Sequence, residues 1–418
     1  MSFITNIRSV AKYESKILVR SWFFRIFTLL AVVFLGFFNF AMMLMEDNFG
    51  LWFAKSVSSN IPYLNLLLLN TGQAVVAVFL SSEFLKRDKK LDTSEVFYVR
   101  PLSNAEYVVG KIWGNLRVFL FLNLLVLAIV LAFNFMASGV AVDLPAYLVY
   151  FFLISIPTLI FIIGLSIFLM LLLKNQALTF ILLLGYIGLT LFYIQDKFYY
   201  LFDYMVYNLP LFKSTIVGFS NLELILNHRA IYFFAGLGFI FFTIFLFKRL
   251  PNARRSHYPW LFLSFCMFLL MGTAGFRHVR SILREGEMRA LYTSINNKYV
   301  YEPKMAIDYY DISVEQKSET IRSVVGMEGT ALAASEVFIF CLNPGLRVEE
   351  VKDGEKSLNF KREEQILAVD FGRKIEKGDT ISFSVSYEGR IKDDFCYLDI
   401  PEEVLQQPHD KEMLKLDK

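Results

Sequence analysis

From residue 22 to residue 276 long apolar runs alternate with short polar breaks, and from about residue 306 the apolar positions recur every second residue. A helix that crosses the hydrocarbon core of a bilayer needs about 20 predominantly apolar residues. Seven runs approach or exceed that length: 22–45, 63–84, 112–136, 145–173, 177–194, 230–247 and 258–276. Only Lys174, Asn175 and Gln176 separate the fourth from the fifth, which predicts a tight turn between antiparallel helices. Pro157 and Gly164 fall inside the fourth run; spans tolerate such residues where neighbouring helices re-satisfy the backbone. Ahead of the first run, Ile4, Ile7, Val10 and Ala11, then Ile17 and Leu18, recur at roughly helical spacing. With Arg8, Lys12, Glu14, Lys16 and Arg20 among them, they predict an amphipathic helix on the inner membrane surface rather than a cleavable signal. A plain charged tail is the alternative.

The later part reads differently. IDYYDISVEQK, TIRSVVGMEG, SEVFIFCLNP, LRVEEVK, EQILAVDF and TISFSVSYEG are short runs rich in Val, Ile, Phe and Tyr. Asn343-Pro344-Gly345, Asp353-Gly354 and Lys377-Gly378-Asp379 punctuate them, which predicts an antiparallel β domain. The expected fold is a membrane all-α bundle of about seven transmembrane helices plus a C-terminal antiparallel β domain. Its parts are a membrane domain over 1–276, a helical stalk within 277–303, the β domain over 304–392 and a polar tail over 393–418.

Charge sharpens the division. Residues 1–276 hold 21 Lys/Arg and 12 Asp/Glu, whereas residues 277–418 hold 21 and 27. The basic residues sit at span ends, not in a patch with interleaved aromatics, so nucleic acid is excluded as a partner. Lys/Arg in short loops orients the spans. They collect in the N-terminal segment, between the second and third spans (Lys86, Arg87, Lys89, Lys90, Arg100, Lys111), at Lys174, and after the sixth span (Lys248, Arg249, Arg254, Arg255). The N-terminus is therefore expected in the cytoplasm of a cell whose inner membrane holds the chain, and the β domain outside it. Arg277, Arg280, Arg284 and Arg289 argue the other way, with Glu285 and Glu287 interspersed. The connection from 195 to 229 is rich in aromatics; an interfacial or re-entrant helical pair is expected there, with Tyr199, Tyr200, Tyr204 and Tyr207 in an aromatic belt.

Residues 83–111, EFLKRDKKLDTSEVFYVRPLSNAEYVVGK, are longer than a turn requires. Asp92 with Glu95, and Ser103 with Glu106, are helix-start pairs, the second a capping box. Pro101 disfavours helix at Arg100. The pattern predicts a short helix over 93–99 with Val96, Phe97 and Val99 on one side, an elbow, then a helix from Asn104 into the third span. Such a helix either docks a cytoplasmic partner or simply caps the bundle.

Within the spans, Asn70 and Gln73 share a helical face, and Asn123 carries the same ambiguity: these side chains line a substrate path or dimer seam, or they bond between helices of one bundle. No charge falls in the middle of a span, which argues against an ion-coupled transporter. Cys341 and Cys396 are the pair that could form a disulfide in an oxidising compartment.

LDTSEVFYVRPLSNAEYVVGK resembles the coupling region of permease subunits of type-2 ABC exporters, through Glu95, Arg100, Pro101, Leu102, Ser103, Gly110 and Lys111. The amphipathic N-terminal segment and the aromatic connection fit it too, and the resemblance covers residues 1 to about 250; a seventh span departs from the usual six. It implies a permease dimer driven by a separate ABC-type ATPase subunit, which would hold ATP and its magnesium, with Glu95, Val96, Phe97, Arg100, Pro101, Ser103 and Glu106 as the coupling residues. This chain has no Gly-x-x-x-x-Gly-Lys-[Ser/Thr] loop and is not expected to be an enzyme.

Asp308–Lys317, LNPGLRVEEV and KIEKGDTISFSVSYEGR are similar to the N-terminal β domain of gluzincin-type zinc aminopeptidases, across 304–392. The catalytic part of such an enzyme is not in these 418 residues: His-Glu-x-x-His is missing, and of the four histidines none stands four residues from another. The chain looks like the front of a bacterial permease–aminopeptidase fusion, either cut short or completed by another polypeptide. Gly326-Met327-Glu328-Gly329 sits in a strand-like run, and His409 with Glu412 in a polar tail; neither reads as a peptidase or metal site. No metal or other cofactor is expected in this chain. The expected function is export of an unidentified, amphiphilic substrate across the cytoplasmic membrane. The alternative is a membrane anchor or scaffold for an extracytoplasmic aminopeptidase-like protein.

Overall fold

The computed structural model describes residues 3–44, 58–90, 102–136, 141–194, 197–209, 211, 213, 218–219, 221–247, 258–317, 319–395 and 398. Eight long helices come first: α1 (Phe3–Arg20), α2 (Trp22–Leu44), α3 (Asn60–Lys90), α4 (Asn104–Met136), α5 (Leu144–Leu173), α6 (Gln176–Ile194), α7 (Leu222–Leu246) and α8 (Tyr258–Lys298). All but α1 are long and apolar enough to cross a membrane. Buried residues concentrate in α3, α5, α4 and α7, while α2, α6 and the apolar part of α8 are peripheral. The span from 258 and the expected stalk are one uninterrupted helix of 41 residues.

Local chemistry sets the ends. Asp143 caps α5, its side chain accepting the Ala146 N–H, and Pro145 occupies the first turn, where a missing N–H is harmless. α5 stops at Lys174 in the left-handed conformation (φ 53°), and Asn175 then caps α6 by accepting the Leu178 N–H at 3.2 Å. The three-residue turn read from the sequence is thus a C-cap followed by an N-cap. α5 contains a π-helical turn, Phe151–Ser155, just before Pro157. α5 and α7 cross at glycines: a methyl group on Gly164 would lie 2.6 Å from the Gly236 carbonyl oxygen, and one on Gly236 would lie 2.7 Å from that of Ile160.

Three expectations change in this region. The connection between α6 and α7 forms no helical pair among the described residues; it holds one tight 3-10 turn, Phe198–Tyr200, then irregular chain. Phe198, Tyr199 and Tyr200 all have positive φ (53°, 59° and 62°), a left-handed turn unusual without glycine. Tyr204 is not in a surface belt but fully buried, with Met205, Val206, Leu209 and Leu211. These residues pack inward, whereas Phe198, Tyr199 and Phe202 of the same connection are exposed. The sixth span also starts at Leu222 rather than 230, because His228 and Arg229 are buried in helix.

The second unit, from Arg280, carries eight strands: β1 (Met305–Lys317), β2 (Thr320–Ala331), β3 (Ser335–Cys341), β4 (Leu346–Asp353), β5 (Lys356–Ser357), β6 (Asn359–Glu363), β7 (Ile366–Ile375) and β8 (Thr380–Gly389). They form antiparallel sheets of order β1-β2-β8-β4-β5 and β3-β7-β6. Alternate residues of both sheets share one core, where Phe383 meets Phe340 and Phe371 with ring centres 5.1 and 5.5 Å apart. Gly326–Gly329 lies inside β2, paired on both sides. Cys341 ends β3; Cys396, His409 and Glu412 lie outside the described residues.

Candidate functional site

The expected coupling segment is described from residue 102 onward, so Glu95, Val96, Phe97, Arg100, Pro101 and the helix over 93–99 lie outside the described residues. Ser103 and Glu106 form the capping box the sequence predicts. The Glu106 carboxylate accepts the Ser103 N–H at 2.6 Å, and the Ser103 hydroxyl accepts the Glu106 N–H at 3.1 Å. This starts α4 with two otherwise unpaired N–H groups satisfied. Phe247 secures the same end: its carbonyl accepts the Asn104 amide at 2.6 Å, and its ring stacks on Tyr107 at 5.4 Å.

α1 grips this head of α4 along its length. Asn6 donates to Glu106 at 2.8 Å; Glu14 and Lys111, both buried, pair at 3.7 Å; Ser15 donates to the Gly114 carbonyl at 2.6 Å. Arg117 donates to the Ser15 hydroxyl at 2.5 Å and the Ala11 carbonyl at 2.7 Å. Contacts advance in the same order on both helices, so the two run side by side in the same direction. Gly110 and Gly114 permit the approach: methyl groups there would lie 2.7 Å from the Val10 Cβ and 2.9 Å from the Ala11 carbonyl oxygen. The helix expected over the N-terminal segment is present as α1, and one of its faces is committed to α4. Sequence reasoning missed Asn6, Glu14, Ser15 and Arg117; the signal was Gly110-x-x-x-Gly114 at the head of a long helix.

The structure brings Asn70, Gln73 and Asn123 together and adds Ser155. Gln73 donates to Asn70 at 3.1 Å, Asn123 to Gln73 at 2.8 Å, and Ser155 to Asn123 at 2.8 Å. All four are buried and tie α3, α4 and α5 together. Asn39 and Asn65 make a similar pair between α2 and α3 at 2.7 Å. Each side chain spends its donor group on a neighbour in the same chain.

A buried charge that sequence reasoning did not find lies at the other end of the bundle. Arg229 of α7 is 2% exposed. Pro157 lacks the N–H that would reach Leu153 in a regular helix, and Arg229 Nε donates to that Leu153 carbonyl at 2.7 Å. Its other nitrogens reach the Tyr204 carbonyl at 3.0 Å, the Thr158 hydroxyl at 2.9 Å and the Ile154 carbonyl at 3.4 Å. Asp203 closes the connecting segment by accepting the N–H groups of Tyr207, Asn208 and Leu209. Burial pushes its carboxyl above the usual carboxylate range, against the pull of those N–H groups and of Arg229. His228 and His278 each place a ring nitrogen on the left-handed turn, at the Tyr200 carbonyl (2.9 Å) and the Tyr199 carbonyl (2.8 Å). Among the described residues, no group of three metal-ligating side chains occurs.

These observations define a chain with seven helices fit to cross a membrane, followed by an antiparallel β domain. No family model matches it, and no curated protein does. Among solved structures, similarity is found to a mutant of a two-domain M1 zinc metallopeptidase bound to L-tryptophan, and to an M1 zinc metallopeptidase mutant from Deinococcus radiodurans bound to a Tyr-Ser-Ala substrate. Each is 17% identical, covers 21% of this chain and 21% of its own, and has a TM-score of 0.20.

Proposed function

We propose that the chain is the permease subunit of an ATP-driven exporter of the ABC type, acting in a dimer with a separate ATPase subunit in the cytoplasmic membrane. The observation that supports this reading is the head of α4. It is capped at Ser103, gripped by α1 and pinned by Phe247, and it continues without a break into an apolar helix. A rigid polar module on the end of a spanning helix transmits a push, whereas a flexible loop absorbs one. Its sequence resembles the coupling segment of type-2 ABC exporter permeases, and loop charge assigns it to the cytoplasmic side. ATP and magnesium belong to the partner; substrate moves along the apolar helices, whose composition suits an amphiphile. The β domain then lies outside the membrane, where it resembles the front of an aminopeptidase.

The test is the double substitution Glu95→Ala/Arg100→Ala. Loss of the co-purifying ATPase, and of stimulated ATP hydrolysis, is the expected result. If both survive at wild-type levels the coupling reading is wrong, and the chain is better understood as an anchor for its β domain. The eight ordered strands of that domain are the observation favouring this second reading.

A further inference from the structure

Only one face of α1 is accounted for by its grip on α4. Ala11, Glu14 and Leu18 are buried on that face. On the opposite side Arg8, Lys12, Lys16 and Arg20 are all exposed. A repeat of four on a helix of 3.6 residues per turn makes one slowly drifting ridge, about 18 Å long. Like charges at this spacing oppose helix formation, and the only carboxylate of α1, Glu14, is turned away to Lys111. Among the described residues none of the four cations has an acidic partner. The exposed side chains of Tyr13, Val19 and Trp22 flank the ridge.

The ridge is tied directly to an apolar helix. Ser21 alone separates α1 from α2, its N–H bonding back to Ile17 and Leu18, and Arg25 Nε donates to the Val19 carbonyl at 3.0 Å. A row of exposed cations with aromatic and aliphatic neighbours, ending where an apolar helix begins, complements a bilayer face that carries excess phosphate charge.

We propose that Arg8, Lys12, Lys16 and Arg20 form a docking ridge for anionic phospholipid headgroups. Lipid charge thereby sets the position of α1 and, through the Gly110 and Gly114 seat, of the head of α4. The inference rests on the membrane-spanning part of the proposed function and not on the ATPase partner, so an assay without ATPase separates the two.

The full chain, with Cys266, Cys341 and Cys396 replaced by serine, carries an environment-sensitive fluorophore on Ser9→Cys. It is placed in nanodiscs of phosphatidylcholine alone or with added phosphatidylglycerol. Phosphatidylglycerol should shift the emission, and high salt should reverse the shift. Each cation contributes about five-fold to the apparent affinity at low salt, so Lys12→Gln/Lys16→Gln should weaken the response more than ten-fold. Neutralising all four should abolish it, and Lys174→Gln should leave it intact. The double variant keeps the test open should the quadruple variant not fold. Equal emission in both lipids overturns the proposal, as does an undiminished response in the double variant or a shift reproduced by inorganic phosphate or by an acidic protein without anionic lipid.

Discussion

Arg229 shows how a charge can be structural inside an apolar bundle. Its nitrogens all face oxygen: three carbonyls and the Thr158 hydroxyl, two of the carbonyls from the π-helical turn ahead of Pro157. An unpaired buried polar group costs about 1–3 kcal/mol, and removing the guanidinium would strand several at once. Arg229→Met should therefore lower stability by about 3 kcal/mol or more, read as a reduced unfolding midpoint in detergent. Arg229→Lys should rescue little, because a single ammonium cannot span four acceptors in a planar fork. An unchanged midpoint in the methionine variant would refute this account. The residue was not legible in the sequence because it borders the run from 230; its partners include a carbonyl freed by a proline more than seventy residues earlier, which no local pattern reveals. Ser103 and Glu106 were legible because both partners of a capping box lie within one turn.

At the scale of elements, helix crossings are set by glycines that look alike in the sequence and are not alike in space. A methyl group on Gly236 meets the Ile160 carbonyl oxygen and the Phe161 nitrogen, both at 2.7 Å, and neither backbone can yield cheaply. Gly185 of α6 has nothing within 4 Å. Gly236→Ala should destabilise by about 1–3 kcal/mol through overpacking. Gly185→Ala should be neutral or stabilise by up to about 1 kcal/mol, through better helix propensity. Thermal unfolding of the two variants side by side checks both; equal effects would contradict the crossing described. The strands show the same limit. Six of the eight were legible from alternation; Lys356–Ser357 was not, being two residues long, nor was Asn359–Glu363, because Lys361, Arg362 and Glu363 crowd an edge strand whose inward positions are few. The α6–α7 connection was misread because aromatic content alone does not distinguish a residue at an interface from one filling the bundle, as Tyr204 does.

For the whole molecule, the division into an apolar helical part and a β domain was written in composition, and the seven apolar runs coincide with seven helices. Side of the membrane is a matter of Lys/Arg distribution alone. With the N-terminus inside and seven crossings, protease added to intact cells with a permeable outer layer should cleave residues 277–395 and spare α1. Digestion of the β domain only after the inner membrane is breached would reverse the orientation. The proline in α5 carries a consequence for descent. Because Arg229 occupies the carbonyl that Pro157 leaves vacant, neither residue is free to drift alone. A lineage that exchanged the proline for leucine would regain the backbone donor to Leu153 and leave Arg229 with one acceptor fewer, the Ile154 and Tyr204 carbonyls and the Thr158 hydroxyl remaining. The proline should therefore be lost less readily while the arginine is kept, and the two positions should tend to change together.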